Sequence, residues 1–220
     1  MDSGQERLTH AQLRTPRAAA VAGILFSVLL FVTFALVRIS LPGDPFEPGT
    51  WLDNSLLYVT LAMHLVPFAG VAFLWFMGVL RDRLGEREDR FFSTVFLGCG
   101  FLLLAMLFSA AAVVGAIIIA FQASHEALEH SAIFHFGRGL AYGMMNIYLL
   151  KTASAFMITT STIALYTHLT PRWLAIGGYV IAVVLLIDYL GWSLMLFPFW
   201  ILLVSLSILW EMQAASGRAG

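Results

Sequence analysis

A single lysine inside an otherwise apolar stretch is the first residue of the sequence that could carry chemistry. Lys151 lies between the apolar run that starts near Gly139 and the hydroxyl-rich segment Thr159–Thr162. At a rise of about 1.5 Å per residue, it would lie roughly 18 Å from the end of a helix that began at Gly139. A charge at that depth costs a few kcal/mol and faces the protein interior or an aqueous cavity. Lys151 therefore predicts an intramembrane polar pocket.

Four other polar residues are candidates for the same pocket: His64, Asn146, Asp188 and Arg38. His64 and Asn146 are expected at a depth similar to that of Lys151, whereas Asp188 lies nearer the outer edge and would pair more readily with Arg38. Such a pocket could accept an anion, a lipid headgroup or a proton. The alternative interpretation is a structural lysine, held by carbonyls and water or kept neutral by desolvation.

A histidine–glutamate cluster follows the third apolar run. It consists of His125, Glu126, Glu129 and His130, with His135 nearby. On a helix, the four side chains of the cluster would lie within an arc of about 140°, at 100° per residue. Imidazole and carboxylate groups can bind zinc, but their order matches neither HExxH nor HxxEH. Three interpretations stay open: a divalent-metal site, a solvated helix cap and a pH-responsive cluster. We expect no other cofactor.

The composition places the chain among membrane proteins. It is 60% hydrophobic and 11% charged, whereas soluble domains are about 45–50% apolar and 25% charged. The mean hydropathy is +0.87. A net charge of −1 argues against a nucleic-acid partner, because that function requires a clustered basic excess. Cys99 is the only cysteine, so an intrachain disulfide is excluded.

Apolar runs long enough to cross a bilayer recur along the chain. A spanning helix needs about 20 apolar residues, and the run from Phe91 to Phe121 contains no charged side chain. Thr15 and Pro16 form a helix start signal before the first run. We predict an all-α fold, a polytopic bundle of six transmembrane helices flanked by tails. The predicted segments are a tail at 1–17, spans at about 18–40, 55–80, 91–121, 139–167, 173–189 and 193–210, and a tail at 211–220.

Basic residues are unequally divided between the predicted connections. One side carries most of the arginines: Arg7, Arg14, Arg17, Arg81, Arg83, Arg87, Arg90, Arg172 and Arg218. The other side holds only Arg38 and Arg138, at the edges of spans, together with acidic residues. Because cytoplasmic connections are rich in Lys and Arg, both termini are predicted to be cytoplasmic.

Two stretches that begin with Thr-Pro-Arg, at Thr15 and at Thr170, align without gaps and share Gly23 with Gly178. Both would run from inside to outside, which suits a parallel repeat. The simpler interpretation is a common start signal for a helix that leaves the cytoplasm.

Two stretches of the chain, Arg83–Gly98 and Lys151–Tyr179, are similar to sequences in a group of known proteins. In them the chain resembles small multi-pass inner-membrane proteins of bacteria, chiefly actinobacteria-like, to which no chemistry is attached. The resemblance extends over most of the chain from Ser55 to Asp188 and implies that the protein is located in a bacterial plasma membrane.

Three functional classes follow from these observations. The favoured one is a non-enzymatic accessory, scaffold or lipid-binding bundle, with the bilayer, a membrane protein or a second copy as its partner. The second is a small permease or proton-coupled carrier with a pocket at Lys151 and His64. The third is an outward-facing metal-dependent hydrolase that uses the cluster from His125 to His130.

Overall fold

The computed structural model describes residues 3–40, 52–84, 90–124, 131–167, 170–188 and 192–216. Of these residues 97% are helical, and the described ranges contain no strand. The all-α fold class is therefore confirmed.

Seven α-helices and two short helical segments make up the described chain. They are α1 (Ser3–Ser40), α2 (Leu52–Leu84), α3 (Arg90–Ala123), α4 (Ala132–Gly143), a π segment (Met144–Leu149), α5 (Leu150–Thr167), α6 (Arg172–Ile187), a 3-10 turn (Trp192–Met195) and α7 (Leu196–Ser216). α4, the π segment and α5 follow one another without a break.

Five helical segments are long and apolar enough to cross a membrane. They are Ala20–Ser40, Asn54–Arg81, Phe91–Ala123, Ala132–Tyr166 and Ser193–Glu211. The remaining apolar helix, α6, has only 16 residues. The described residues thus support a multi-pass membrane protein with five helical segments of spanning length, beside which α6 is a shorter apolar helix.

Two helices begin well before the predicted spans. α1 starts at Ser3, ahead of the start signal at Thr15 and Pro16, because Gln, Glu, Leu, Ala and Arg between 5 and 14 all favour helix. The fourth membrane segment starts at Ala132 rather than near Gly139. There the hydroxyl of Ser131 accepts a hydrogen bond from the N–H of Phe134 at 3.1 Å, which caps the helix.

Aromatic rings from five helices fill the centre of the bundle. The buried rings are Phe26 of α1, Phe73 of α2, Phe96 of α3, Phe156 of α5 and Phe197 of α7. Ring centroids lie 4.7 Å apart between α1 and α2, 5.2 Å between α2 and α5, and 5.0 Å between α3 and α5. These spacings are those of direct aromatic contact. A continuous aromatic core therefore joins the helices.

Two glycines allow helices to approach closely. A Cβ on Gly23 of α1 would overlap the hydroxyl of Ser205 and lie 2.8 Å from the ring of Phe76. A Cβ on Gly178 of α6 would overlap the hydroxyl of Ser161 and lie 2.8 Å from the ring of Trp200. Since Ser205 and Trp200 both belong to α7, the two aligned glycines pack against the same helix. The parallel repeat stays a prediction.

The π segment changes which face of the fourth membrane segment is buried. The buried residues of α4 are Phe134, Arg138 and Ala141. A regular helix that continued the buried face of α5 in steps of 3.6 residues would bury His135, Gly139 and Tyr142, which are exposed. One extra residue in the widened turn accounts for this shift of one position. The π segment thus turns Arg138 toward the interior.

Candidate functional site around Lys151

Lys151 is bound to the end of a neighbouring helix. Its Nζ donates hydrogen bonds to the carbonyl oxygen of Leu185, at 3.3 Å, and to that of Leu186. These carbonyls belong to the last turn of α6, where the backbone has no partner within its own helix. A cation at a helix C-terminus also interacts favourably with the helix dipole. The ammonium group therefore caps α6, as the structural interpretation of Lys151 expects.

Asp188 joins the same helix end to the next helix. Its N–H donates to the carbonyl of Val184 at 3.0 Å, and its backbone then becomes extended, so that α6 stops. Its carboxylate accepts hydrogen bonds from the N–H of Ser193, at 3.1 Å, and from the Ser193 hydroxyl. Ser193 lies in the turn that opens α7. A negative charge thus occupies the N-terminal end of α7, the end that the helix dipole makes positive.

Three further side-chain hydrogen bonds hold α6 along its length. Ser154 Oγ of α5 donates to the carbonyl of Ala182 at 2.8 Å, and Thr162 shares a hydrogen bond with the hydroxyl of Tyr179. Trp200 Nε1 of α7 donates to the carbonyl of Leu174 at 3.1 Å. Because these contacts extend from Leu174 to Ala182, they fix the register of α6 against α5 and α7.

Asn146 lies in the π segment that precedes Lys151. Its side-chain amide donates to the carbonyl of Tyr142 at 3.1 Å. The hydroxyl of Thr152 lies 3.0 Å from each of the carbonyl oxygens of Tyr148 and Leu149. Widening a helix displaces carbonyls from their regular partners, and these side chains bind some of them. The side chain of Asn146 therefore stabilises the backbone around the π segment.

His64 and Arg38 lie on the outside of the bundle. Both side chains are exposed, His64 on α2 and Arg38 in the last turn of α1. α2 packs mainly against α1 and α3, whereas α5 packs mainly against α3 and α6. The structure thus brings Lys151 and Asp188 to one end of α6. A pocket that also includes His64, and an ion pair between Arg38 and Asp188, stay predictions.

The predicted metal cluster of His125, Glu126, Glu129 and His130 lies outside the described residues. Among the residues that the structure does describe, no group of three or more His, Cys, Asp or Glu side chains could hold a metal ion. The metal site also stays a prediction.

Arg138 is a candidate that the sequence did not single out. It was placed at the edge of a span, yet its side chain is only 7% exposed. The adjacent Gly137 packs closely on α3, since a Cβ there would lie 3.1 Å from Cδ1 of Ile117. An arginine is rarely buried unless it is paired. In the sequence, Arg138 follows Phe134 by four residues and precedes Ala141 by three, which places all three on one helical arc. This spacing is the signal that could have predicted the burial of Arg138.

Comparisons with protein-family models, with curated proteins and with solved structures give no match.

Proposed function

We propose that the protein is a non-enzymatic membrane bundle, an accessory or scaffold subunit whose surface meets lipid, another membrane protein or a second copy. The observation that carries this proposal is the aromatic core shared by five helices. A carrier needs a hydrated path through its bundle, and an intramembrane enzyme needs a cavity for its substrate. The rings of Phe26, Phe73, Phe96, Phe156 and Phe197 occupy the centre where such a path would run.

The contacts of Lys151 support the same proposal. A charge that works in transport or proton transfer exchanges partners during each cycle. Lys151 instead holds carbonyls of the last turn of α6, and releasing them would leave polar backbone groups unsatisfied at membrane depth. Its role in this proposal is to secure α6, an apolar helix of only 16 residues.

The proposal includes six crossings of a bacterial plasma membrane with both termini in the cytoplasm. α6 is then the fifth crossing. Its 16 residues extend about 24 Å, less than the roughly 30 Å of hydrocarbon. The arginine distribution supports this orientation. Tags at both termini should become accessible to protease only after the membrane is permeabilised, and digestion of either tag in intact cells would contradict the orientation.

Labelling of engineered cysteines tests whether the interior of the bundle excludes water. In a Cys99→Ser background, single cysteines replace Ser27, Ser154 or Ser205, each of which is 0% exposed. A membrane-impermeant, charged thiol reagent should leave all three unmodified from either side of the membrane. Ser124→Cys, at the exposed end of the third membrane segment, is the positive control.

The carrier alternative predicts the opposite result. A water-filled pathway to Lys151 would permit labelling at Ser154 from one side, and a transported solute would protect the cysteine. Labelling of any of the three interior positions would overturn the proposed function.

A further inference from the structure

One polar side chain of α2 lies on the outside of the bundle at membrane depth. The imidazole of His64 is exposed, and the exposed rings of Tyr58 and Trp75 lie toward the two ends of the same membrane segment. Such rings favour the two membrane interfaces. His64 follows Tyr58 by six residues and precedes Trp75 by eleven, which correspond to rises of about 9 Å and 17 Å. The imidazole therefore lies within the hydrocarbon rather than at its edge.

The described residues supply no partner for this side chain. Across the ranges that the structure describes, no hydrogen bond, ion pair or ring contact involves His64. A histidine inside a membrane usually faces the protein interior or pairs with another polar group. The exposed position of His64 therefore indicates a polar group that comes from outside this chain.

The same face of α2 also presents a carbonyl acceptor. Pro67 is exposed one turn after His64, and a proline has no N–H. In a regular helix, the carbonyl of Met63 points toward residue 67, so here it lacks its usual donor. A neutral imidazole carries one N–H donor and one acceptor nitrogen. His64 and Met63 thus place a donor and an acceptor side by side, at one depth, on one exposed arc.

An apolar seam extends to both sides of these two groups. The exposed positions of α2 recur in steps of four and three residues, the spacing at which two helices pack along a common seam. The seam consists of Leu57, Leu61, His64, Phe68, Val71 and Trp75. From Leu57 to Trp75 it rises about 27 Å, which is nearly the thickness of the hydrocarbon. In such a seam a single polar residue sets the register of the partner helix.

We propose that this seam binds the α2 helix of a second copy of the chain, in a two-fold symmetric dimer. A two-fold axis along the membrane normal places identical residues at identical depth. The N–H of His64 in each copy then donates to the carbonyl of Met63 in the other copy, and both pairs of groups are satisfied.

This donor–acceptor complementarity favours a second copy over a different membrane protein. A second copy brings the matching acceptor at the required depth, whereas a different protein would need one of its own at the same level. The inference rests on the membrane placement in the proposed function, and it names the partner of one surface of the bundle.

Cross-linking of single cysteines in native membranes tests which faces meet. In a Cys99→Ser background, a membrane-permeant oxidant should join two copies of Leu61→Cys and two copies of Phe68→Cys. Ala105→Cys of α3 and Val180→Cys of α6 are exposed positions on other helices and should not cross-link. Cross-links at these control positions instead of α2 would overturn the inference, and so would cross-links of the α2 cysteines only to a different protein.

Energy transfer between labelled copies in liposomes of increasing lipid content measures the polar contact. His64→Met should weaken the dimer about sevenfold, which corresponds to two interhelical hydrogen bonds of the average strength found in membranes. His64→Asn retains an N–H donor and should keep the association within about twofold of the wild type. Thermal unfolding of the His64→Met monomer in detergent should be unchanged, because the described chain has no contact of His64 to lose.

Pro67→Ala separates association from folding. Alanine supplies the N–H that proline lacks, so the carbonyl of Met63 regains its helical donor. Each chain should be at least as stable as the wild type, since alanine has the highest helix propensity. The dimer should nevertheless weaken about as much as in His64→Met. A purely structural role of Pro67 would not weaken association while the fold is maintained.

Two further results would overturn the inference: a chain that stays monomeric at every lipid content, or a dimer that either substitution leaves intact. A monomer whose interior cysteines stay unlabelled would overturn this inference alone. Labelled interior cysteines in a chain that still dimerises through α2 would overturn the proposed function alone.

Discussion

The α1–α2 pair and the α5–α6 pair are held together in different ways. α1 and α2 form the most extensive contact of the bundle, and the hydroxyls of Ser27 and Thr33 bond to carbonyls of α1 itself. On the other side, Lys151 and Ser154 of α5 reach across to carbonyls of α6. The two long helices have an extensive surface along which they pack. A helix of 16 residues has less surface to pack, and polar tethers supplement it.

Enlarging the glycine at the crossing of α6 is expected to have the largest effect. Gly178→Leu places a side chain where Ser161 and Trp200 already lie, and such overpacking costs about 1–3 kcal/mol or more. We expect loss of the folded protein, measured as the monodisperse fraction after extraction in mild detergent.

The neighbouring glycine provides a matched control. A Cβ on Gly177 would meet nothing within 4 Å, so Gly177→Leu should be tolerated, and the better helix propensity should even help slightly. Equal losses in the two variants would show that α6 does not pack through Gly178.

Removing the lysine that caps α6 is expected to have the second-largest effect on stability. Lys151→Met removes the donor to the carbonyls of Leu185 and Leu186, which should lower the stability by about 1–3 kcal/mol because backbone acceptors at the end of α6 lose a charged partner. Thermal unfolding in detergent measures the change. His64→Met, at an exposed position of α2, is the control and should leave the midpoint unchanged. Unchanged stability in Lys151→Met, combined with a lost cellular phenotype, would favour a functional pocket instead.

Single tethers should contribute less. Ser154→Ala removes one hydrogen bond between helices, for which about 0.6 kcal/mol is typical in membranes. Ser27→Ala removes only a bond within α1 and should be near neutral. If the Ser27 variant proved the less stable of the two, the contrast between the two helix pairs would be wrong.

The smallest expected effect concerns the histidine–glutamate cluster. For a non-enzymatic bundle, we expect purified protein to carry less than one zinc per chain, with the same content in His125→Ala and His130→Ala. Metal analysis by mass spectrometry measures this content. One zinc per chain that both substitutions remove would favour the hydrolase alternative.

Composition and run length were sufficient to predict the helical class and the five apolar segments that are long enough to cross a membrane, because hydropathy is summed over some twenty residues and tolerates local errors. Hydropathy could not predict which face of α4 is buried. Arg138 turns inward because of one extra residue in the π segment, and a shift of a single position rotates the buried face of a helix by about 100°. Carbonyl partners for Lys151 were one of its two interpretations, but their identity as Leu185 and Leu186 was not predictable, since no pattern of side chains marks a backbone carbonyl.

The order of Lys151 and α6 along the chain has a consequence for biogenesis. Ribosomes deliver the sequence from the N-terminus, so α5 emerges with its lysine before the last turn of α6 has been made. The ammonium group of Lys151, which binds the carbonyls of Leu185 and Leu186, is therefore already in place when α6 and α7 are synthesised. A short apolar helix thus joins a bundle that already contains the donor for the carbonyls of its last turn.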